Sequence, residues 1–198
     1  MQDFTNRYLS HFLLVEVPFA LTPDPKFFYL SDQHSEALAA LDIAITERRG
    51  LVTLVGEVGT GKTTLARTVL EGLGADTRVA YVSITTLPFE DLLRDALDQW
   101  RVPIEEPTKG GMIRALRSFV EQQAERGGTV VLVVDEAQHL TNEVFEELRL
   151  LLNLETPESK LLQLVLIGQP ELQQKLLQPE IRQLAERASV RAYLGPVS

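Results

Sequence analysis

A glycine-rich loop in the first third of the chain restricts this sequence to few folds. The loop matches the pattern G-x-x-x-x-G-K-[ST] and consists of Gly56, Glu57, Val58, Gly59, Thr60, Gly61, Lys62, Thr63 and Thr64. The apolar, β-branched run 51–55 before it predicts a buried strand, and apolar residues at helical spacing over 64–70 predict a helix after it. Strand, glycine loop and helix in this order are the context in which the motif binds phosphate.

The residue types in this loop each have a chemical reason. Gly56, Gly59 and Gly61 lack a Cβ atom, so the backbone can curl tightly and turn its N–H groups inward. Together with the helix N-terminus, those donors bind a polyphosphate. We expect Lys62 to reach the β- and γ-phosphates and the Thr63 hydroxyl to ligate Mg²⁺.

A second informative stretch is an apolar run that ends in two acids. Five apolar residues at 130–134 precede Asp135 and Glu136, which predicts a central parallel strand with acids at its carboxyl end. Ligands bind at that edge of open α/β sheets. This is the Walker B pattern: we expect Asp135 to help place Mg²⁺ and Glu136 to deprotonate the attacking water. The alternative is a pair of acids that stabilises the start of a helix.

The remaining pattern predicts strands that alternate with helices. The strands are expected at 51–55, 78–84, 129–134, 161–167 and 190–194. The helices are expected at 31–49, 64–70, 88–100, 112–124, from 141 or 142 to 152, and as two short helices over 171–188 broken at Pro179. Such alternation predicts an α/β fold of three αβα layers around a five-stranded parallel sheet.

Two polar residues outside these motifs are candidates for the same site. Gln169 follows the expected fourth strand, where a side chain can sit between the Walker B acids and the γ-phosphate. The alternative for Gln169 is a polar turn residue. His34 falls in the first turn of the helix expected at 31–49, where we expect a solvent-exposed side chain rather than one that faces the base.

Composition excludes several other classes of protein. The 198 residues suit one α/β domain, and the absence of cysteine excludes disulfides and thiolate chemistry. No apolar run approaches the about 18 residues of a membrane helix, and the N-terminus lacks the features of a signal peptide, so we expect a cytoplasmic protein. A net charge of −9 argues against a surface that is basic throughout and coats nucleic acid.

Two rival classes of phosphate-loop protein can be weighed. A GTPase needs an [NT]-K-x-D motif to read its base, and Thr108–Gly111 lacks the aspartate. A small-molecule kinase does not use water as acceptor and so does not need the acidic pair Asp135 and Glu136. The pair therefore favours hydrolysis.

Four segments together resemble the ExeA-like AAA+ ATPases, the general secretion pathway protein A group, which is related to pilus-biogenesis and TniB-like transposition ATPases. The segments are the Leu-Thr-Pro-Asp-Pro stretch within 18–31, the loop 56–64, Asp-Glu-Ala-Gln at 135–138 and the run 167–172. The resemblance extends from about Tyr8 to Pro196. The first segment is the most specific to the family, whereas the two Walker motifs are shared far more widely.

The resemblance implies a P-loop fold with strand order 5-1-4-3-2, ATP or ADP as ligand, and assembly into a ring or filament. It further implies that Gln169 occupies the sensor 1 position. It makes Arg187 the arginine finger that reaches a neighbour's γ-phosphate, with Arg182 and Arg191 as alternatives. Related proteins continue into a helical lid, which this sequence lacks, so we expect the core, 31–198, to end before the lid. The prolines and aromatic residues within 18–30 separately predict that residues 1–30 form an arm packed on that core.

The sequence thus predicts an ATP-hydrolysing core in which Lys62, Glu136, Gln169 and Arg187 act in catalysis and Thr63 and Asp135 hold Mg²⁺. By resemblance, its process is secretion or pilus assembly, with membrane components as partners and the cytoplasmic face of the inner membrane as a site for a longer form. The alternative is a nucleotide-gated module that targets DNA in transposition and turns over little ATP.

Overall fold

Five parallel strands form the centre of the computed structural model, which describes residues 2–16, 30–83, 86–157 and 159–195. The strands are β1 Leu51–Gly56, β2 Thr77–Val82, β3 Thr129–Val134, β4 Leu162–Gly168 and β5 Ala188–Leu194. Their order in the sheet is β2-β3-β4-β1-β5. Read from the opposite edge this is 5-1-4-3-2, so the predicted order is confirmed.

Helices cover both faces of this sheet. The α-helices of the described residues are α1 Gln2–His11, α2 Asp32–Thr46, α3 Lys62–Gly72, α4 Phe89–Gln99, α5 Lys109–Glu125, α6 Asn142–Leu151, α7 Pro170–Leu176 and α8 Arg182–Ala185. One hydrophobic core packs α2 and α3 against the sheet, and the other packs α4 to α8 against the opposite face. The predicted three-layer αβα architecture is therefore confirmed.

Burial of the strands follows from their position in the sheet. All residues of β1 and β4 are buried, as are five of the six residues of β3. These three central strands have helices on both faces, which is why their sequences are continuous apolar runs. The edge strands β2 and β5 contain exposed residues.

Side-chain caps mark the starts of three helices; those at Ser31 and Thr141 were predicted, whereas α5 begins at Lys109, three residues before the predicted start at 112. Ser31, Thr108 and Thr141 precede α2, α5 and α6, and each hydroxyl accepts a hydrogen bond from a backbone N–H of the first turn. Pro88 takes the cap position of α4 rather than the expected first helical position. The helix expected at 31–49 ends at Thr46, and Arg48 has a left-handed φ of 54°.

The strand ends differ slightly from expectation. β5 begins at Ala188, two residues earlier than predicted, because Ala188 pairs with Leu51 at the start of β1. β2 covers 77–82 rather than 78–84, and residues 84–85 lie outside the described residues. The ends of these strands depend on pairing with strands that are distant in sequence, and the local sequence pattern does not reveal that pairing.

The N-terminal region is described in part. α1 is followed by exposed apolar side chains, with Phe12 57%, Leu13 90% and Val15 99% accessible. Residues 17–29, which include the whole Leu-Thr-Pro-Asp-Pro stretch, lie outside the described residues. In the part of the chain that is described, no helix is both long and apolar enough to cross a bilayer.

Candidate active site

The glycine loop joins the carboxyl end of β1 to the start of α3. Gly59 and Gly61 have φ values of 80° and 82°, in the left-handed region where a side chain would be strained. Gly61 directly precedes Lys62, the first residue of α3. The N–H groups in the first turn of a helix have no acceptor within that helix, so they are available to an anion at this loop.

Lys62 is buried inside the loop. Lys62 is only 7% exposed, and its Nζ donates to the carbonyl oxygen of Glu57 at 2.8 Å. The Thr60 hydroxyl donates to the same oxygen at 2.9 Å. A buried ammonium group is costly without a negative partner, and a phosphate at the loop would supply that charge. The loop therefore fits a polyphosphate.

The hydroxyl of Thr63 meets the first Walker B acid. Thr63 Oγ1 donates to Asp135 Oδ2 at 2.9 Å, although the two residues are 72 positions apart. Asp135 is 4% exposed and follows β3 directly. A hydroxyl and a carboxylate are oxygen donors of the kind that Mg²⁺ prefers, and Mg²⁺ keeps several waters, so this pair fits the predicted ion.

Glu136 lies beside these groups in a strained backbone conformation. Its φ of 54° and ψ of 36° are left-handed, which is uncommon for a residue with a side chain. Its Oε2 accepts hydrogen bonds from Gln138 Nε2 at 2.6 Å and Gln169 Nε2 at 3.1 Å.

The surroundings keep Glu136 ionised. Burial raises the pKa of its carboxyl, but the hydrogen bonds from Gln138 and Gln169 and the charges of Lys62 and His139 outweigh burial, so the pKa lies below its ordinary value. The side chain is therefore a carboxylate at neutral pH, as a general base must be.

Gln138 links the second acid to the end of β4. Besides its bond to Glu136, its Oε1 accepts from the backbone N–H of Gln169 at 3.1 Å. A Cβ atom on Gly168 would lie 2.7 Å from the same oxygen, so glycine is required there for this close approach. Gln138 belongs to the segment Asp-Glu-Ala-Gln at 135–138, but the sequence alone indicates no role for its side chain.

The expected exposure of His34 is wrong. The residue is 3% exposed, its Nε2 lies 2.9 Å from the carbonyl oxygen of Thr60, and its Nδ1 lies 2.6 Å from the Ser31 hydroxyl. A carbonyl only accepts, so Nε2 must carry the proton and Nδ1 accepts from Ser31. α2 is amphipathic, and the contact between its first turn and the phosphate loop is tertiary, which its own periodicity does not reveal.

We expect His34→Ala to destabilise the protein and weaken nucleotide binding. The change leaves the Thr60 carbonyl without this donor, which costs about 1–3 kcal/mol for a buried group. Chemical denaturation and nucleotide titration measure the two effects. His11→Ala, at an exposed position of α1, is the matched control and should stay within about 0.5 kcal/mol of the unchanged chain. Equal stability of the two variants would contradict the role of His34.

Arg187 lies near the amino ends of the strands, whereas the phosphate loop lies at their carboxyl ends. It precedes Ala188, which pairs with Leu51 at the start of β1, whereas the phosphate loop follows Gly56 at the other end of the strand. Five residue steps along β1 separate these ends by about 17 Å. The structure thus brings Lys62 together with the acids and Gln169 but places Arg187 away from them.

The three arginines differ in their contacts. Arg182 bonds Glu186, and Arg191 donates to the carbonyl oxygen of Ala185 at 2.7 Å. Nη1 of Arg187 is buried and has no hydrogen-bond partner among the described residues. A buried donor without a partner is unfavourable, and in this respect Arg187 differs from Arg182 and Arg191.

The sequence matches one family model and one curated relative over most of its length. A family model described as an AAA domain matches residues 45–176. General secretion pathway protein A of Aeromonas hydrophila is 46% identical over 192 residues, which is 96% of this chain. The chain spans 35% of the length of that relative.

Solved structures share the fold at lower identity. Cdc6p from Pyrobaculum aerophilum has a TM-score of 0.68 at 21% identity, covering 91% of this chain and 49% of its own. The ORC2 protein of Aeropyrum pernix, solved as ADPNP–ADP complexes, has a TM-score of 0.66 at 18% identity, covering 90% of this chain and 51% of its own. At these identities the likeness concerns the fold alone.

Proposed function

Because this chain belongs to the ExeA-like AAA ATPases, the family of general secretion pathway protein A, we propose that it binds ATP with Mg²⁺ and hydrolyses it. One observation carries the proposal. Residues far apart in the sequence meet at the carboxyl ends of the strands, where the Thr63 hydroxyl donates to Asp135 and the Gln169 side-chain amide donates to Glu136. This is the arrangement that phosphoanhydride hydrolysis needs.

The residues divide the chemistry between them. The loop amides and Lys62 bind the β- and γ-phosphates, which neutralises charge as the terminal phosphoryl group is transferred. Glu136 accepts the proton of the attacking water, and Gln138 and Gln169 hold its carboxylate in place. Gln169 also acts as the γ-phosphate sensor. Thr63 and Asp135 would hold Mg²⁺, which would supply positive charge that offsets the charge of the phosphates.

We further propose that hydrolysis requires assembly of several copies. By the family resemblance Arg187 is the finger that reaches a neighbour's γ-phosphate, and its position away from its own loop agrees with that role. The same resemblance implies that the assembly is a ring or filament. The name of the relative supports secretion as the process, with membrane components of a secretion or pilus system as partners at the cytoplasmic face of the inner membrane.

Lys62→Ala tests nucleotide binding. We expect it to abolish binding of ATP and ADP in titration calorimetry, because the change removes the buried cation that faces the phosphates. Lys160→Ala is the matched control, since Lys160 lies near Glu155 and away from the loop, and it should bind nucleotide like the unchanged chain.

ATP turnover measured against protein concentration tests the rest of the proposal. A rate per chain that rises with concentration supports an active site completed by a neighbour. A rate per chain that stays constant contradicts assembly. ATP-dependent, salt-sensitive DNA binding without turnover would instead support the DNA-targeting module of transposition type.

A further inference from the structure

The carboxylate of Asp135 is held by three hydrogen bonds, one of which comes from a residue outside every motif. Oδ2 accepts from the Thr63 hydroxyl at 2.9 Å and from the Tyr81 hydroxyl at 2.5 Å. Oδ1 accepts from the backbone N–H of Glu136 at 2.9 Å. Tyr81 comes from β2, the strand beside β3, where it pairs with Val133.

Contacts on several sides fix Tyr81 in this position. Gln99 of α4 accepts from its backbone N–H at 2.8 Å and donates to its carbonyl oxygen at 3.1 Å. Gln99 thereby satisfies the backbone N–H and carbonyl groups of Tyr81 on the side of β2 that has no neighbouring strand. The guanidinium of Arg67, on α3, lies 5.7 Å from the centroid of the Tyr81 ring, which is within range of a cation–π interaction.

The contact between Tyr81 and Asp135 has one direction, because the phenol hydroxyl donates and the carboxylate oxygen accepts. A protonated phenol bonded to a carboxylate is a charge-assisted hydrogen bond, stronger than one between neutral groups.

We propose that Tyr81 is a positioning residue for Mg²⁺: its hydroxyl orients the Asp135 carboxylate towards the ion that accompanies the nucleotide at Thr63. The inference rests on the proposed function. It adds Tyr81, on β2, to the residues after β1 and β3 that determine metal affinity. Groups that orient a metal ligand commonly contribute tenfold or more to metal affinity, because an unrestrained ligand loses the correct geometry.

Tyr81→Phe tests this role because it removes the hydroxyl and keeps the ring that faces Arg67. The readout is binding of N-methylanthraniloyl-ADP, followed by fluorescence, in a titration of Mg²⁺ and separately in excess EDTA. We expect the Mg²⁺ concentration at half-effect to rise about tenfold, with affinity in EDTA unchanged. Tyr193→Phe, which alters a tyrosine that is 55% exposed on β5, is the matched control and should leave both values unchanged.

A double-mutant cycle with Asp135→Asn separates positioning from general stability. If Tyr81 acts through Asp135, Tyr81→Phe has no further effect on the Mg²⁺ titration in the Asp135→Asn background. An unchanged Mg²⁺ dependence in Tyr81→Phe, an equal loss in Mg²⁺ and EDTA, or additive effects in the cycle would overturn the inference alone. An unaltered chain that binds no nucleotide would overturn the proposed function and this inference with it.

Discussion

Glu136→Gln is expected to lower ATP turnover by about 100- to 10,000-fold while nucleotide binding is retained, since that is the usual contribution of a general base. Glutamine has nearly the same shape, and its Oε1 can still accept from Gln138 and Gln169, so the site should stay intact. What is lost is the carboxylate that accepts the proton of water. Steady-state phosphate release and nucleotide titration measure the two quantities.

A control for this variant is Glu143→Gln, in which the same change is made at an exposed position of α6. Turnover of that variant should equal that of the unchanged chain. If Glu136→Gln hydrolyses ATP at the normal rate, Glu136 is not the base, and the left-handed backbone at this position requires another explanation.

Arg187→Ala is expected to lower turnover about 1,000-fold or more, with little change in nucleotide affinity at a single site. The effect is large because a finger neutralises charge that develops in the transition state. The side chain is far from its own loop, so the loss should occur in the neighbour's site. Arg182→Ala and Arg191→Ala are the matched comparisons, because those guanidinium groups have partners within their own chain.

Mixing two inactive variants tests whether Arg187 acts between subunits. Arg187→Ala retains Glu136 but lacks the finger, and Glu136→Gln retains the finger but lacks the base. In an assembly that mixes them, some sites combine an intact base with a neighbour's intact arginine, so turnover should recover. A mixture as inactive as its components would show that the two residues do not cooperate across an interface.

Much of the site could be predicted from sequence because its parts are local. The loop 56–64 and the acids 135–136 each need particular residue types within a few positions of one another, next to a strand whose apolar run is visible. Parallel strands bring their carboxyl ends to one edge, so the meeting of Thr63 with Asp135 was expected. The strand order was expected from the family resemblance rather than from the residues themselves.

The residues that surround these motifs could not be found in the same way. His34 was expected to be exposed, yet it contacts the Thr60 carbonyl from α2. Tyr81 was expected only as part of a strand, and its hydroxyl reaches Asp135. Neither position has a local pattern that distinguishes it from an ordinary helix or strand residue.

The sequence by itself determined the phosphate loop, the acidic strand end, and the number and type of the main elements, because hydrophobic period and turn chemistry act over short stretches. The tertiary structure alone decided that the Tyr81 hydroxyl donates to Asp135 and that Gln138 and Gln169 both donate to Glu136. It also decided that Arg187 lies at the end of the strands opposite to the loop. The physical reason is that strand pairing and helix packing join residues tens of positions apart, and those contacts select which side chains meet.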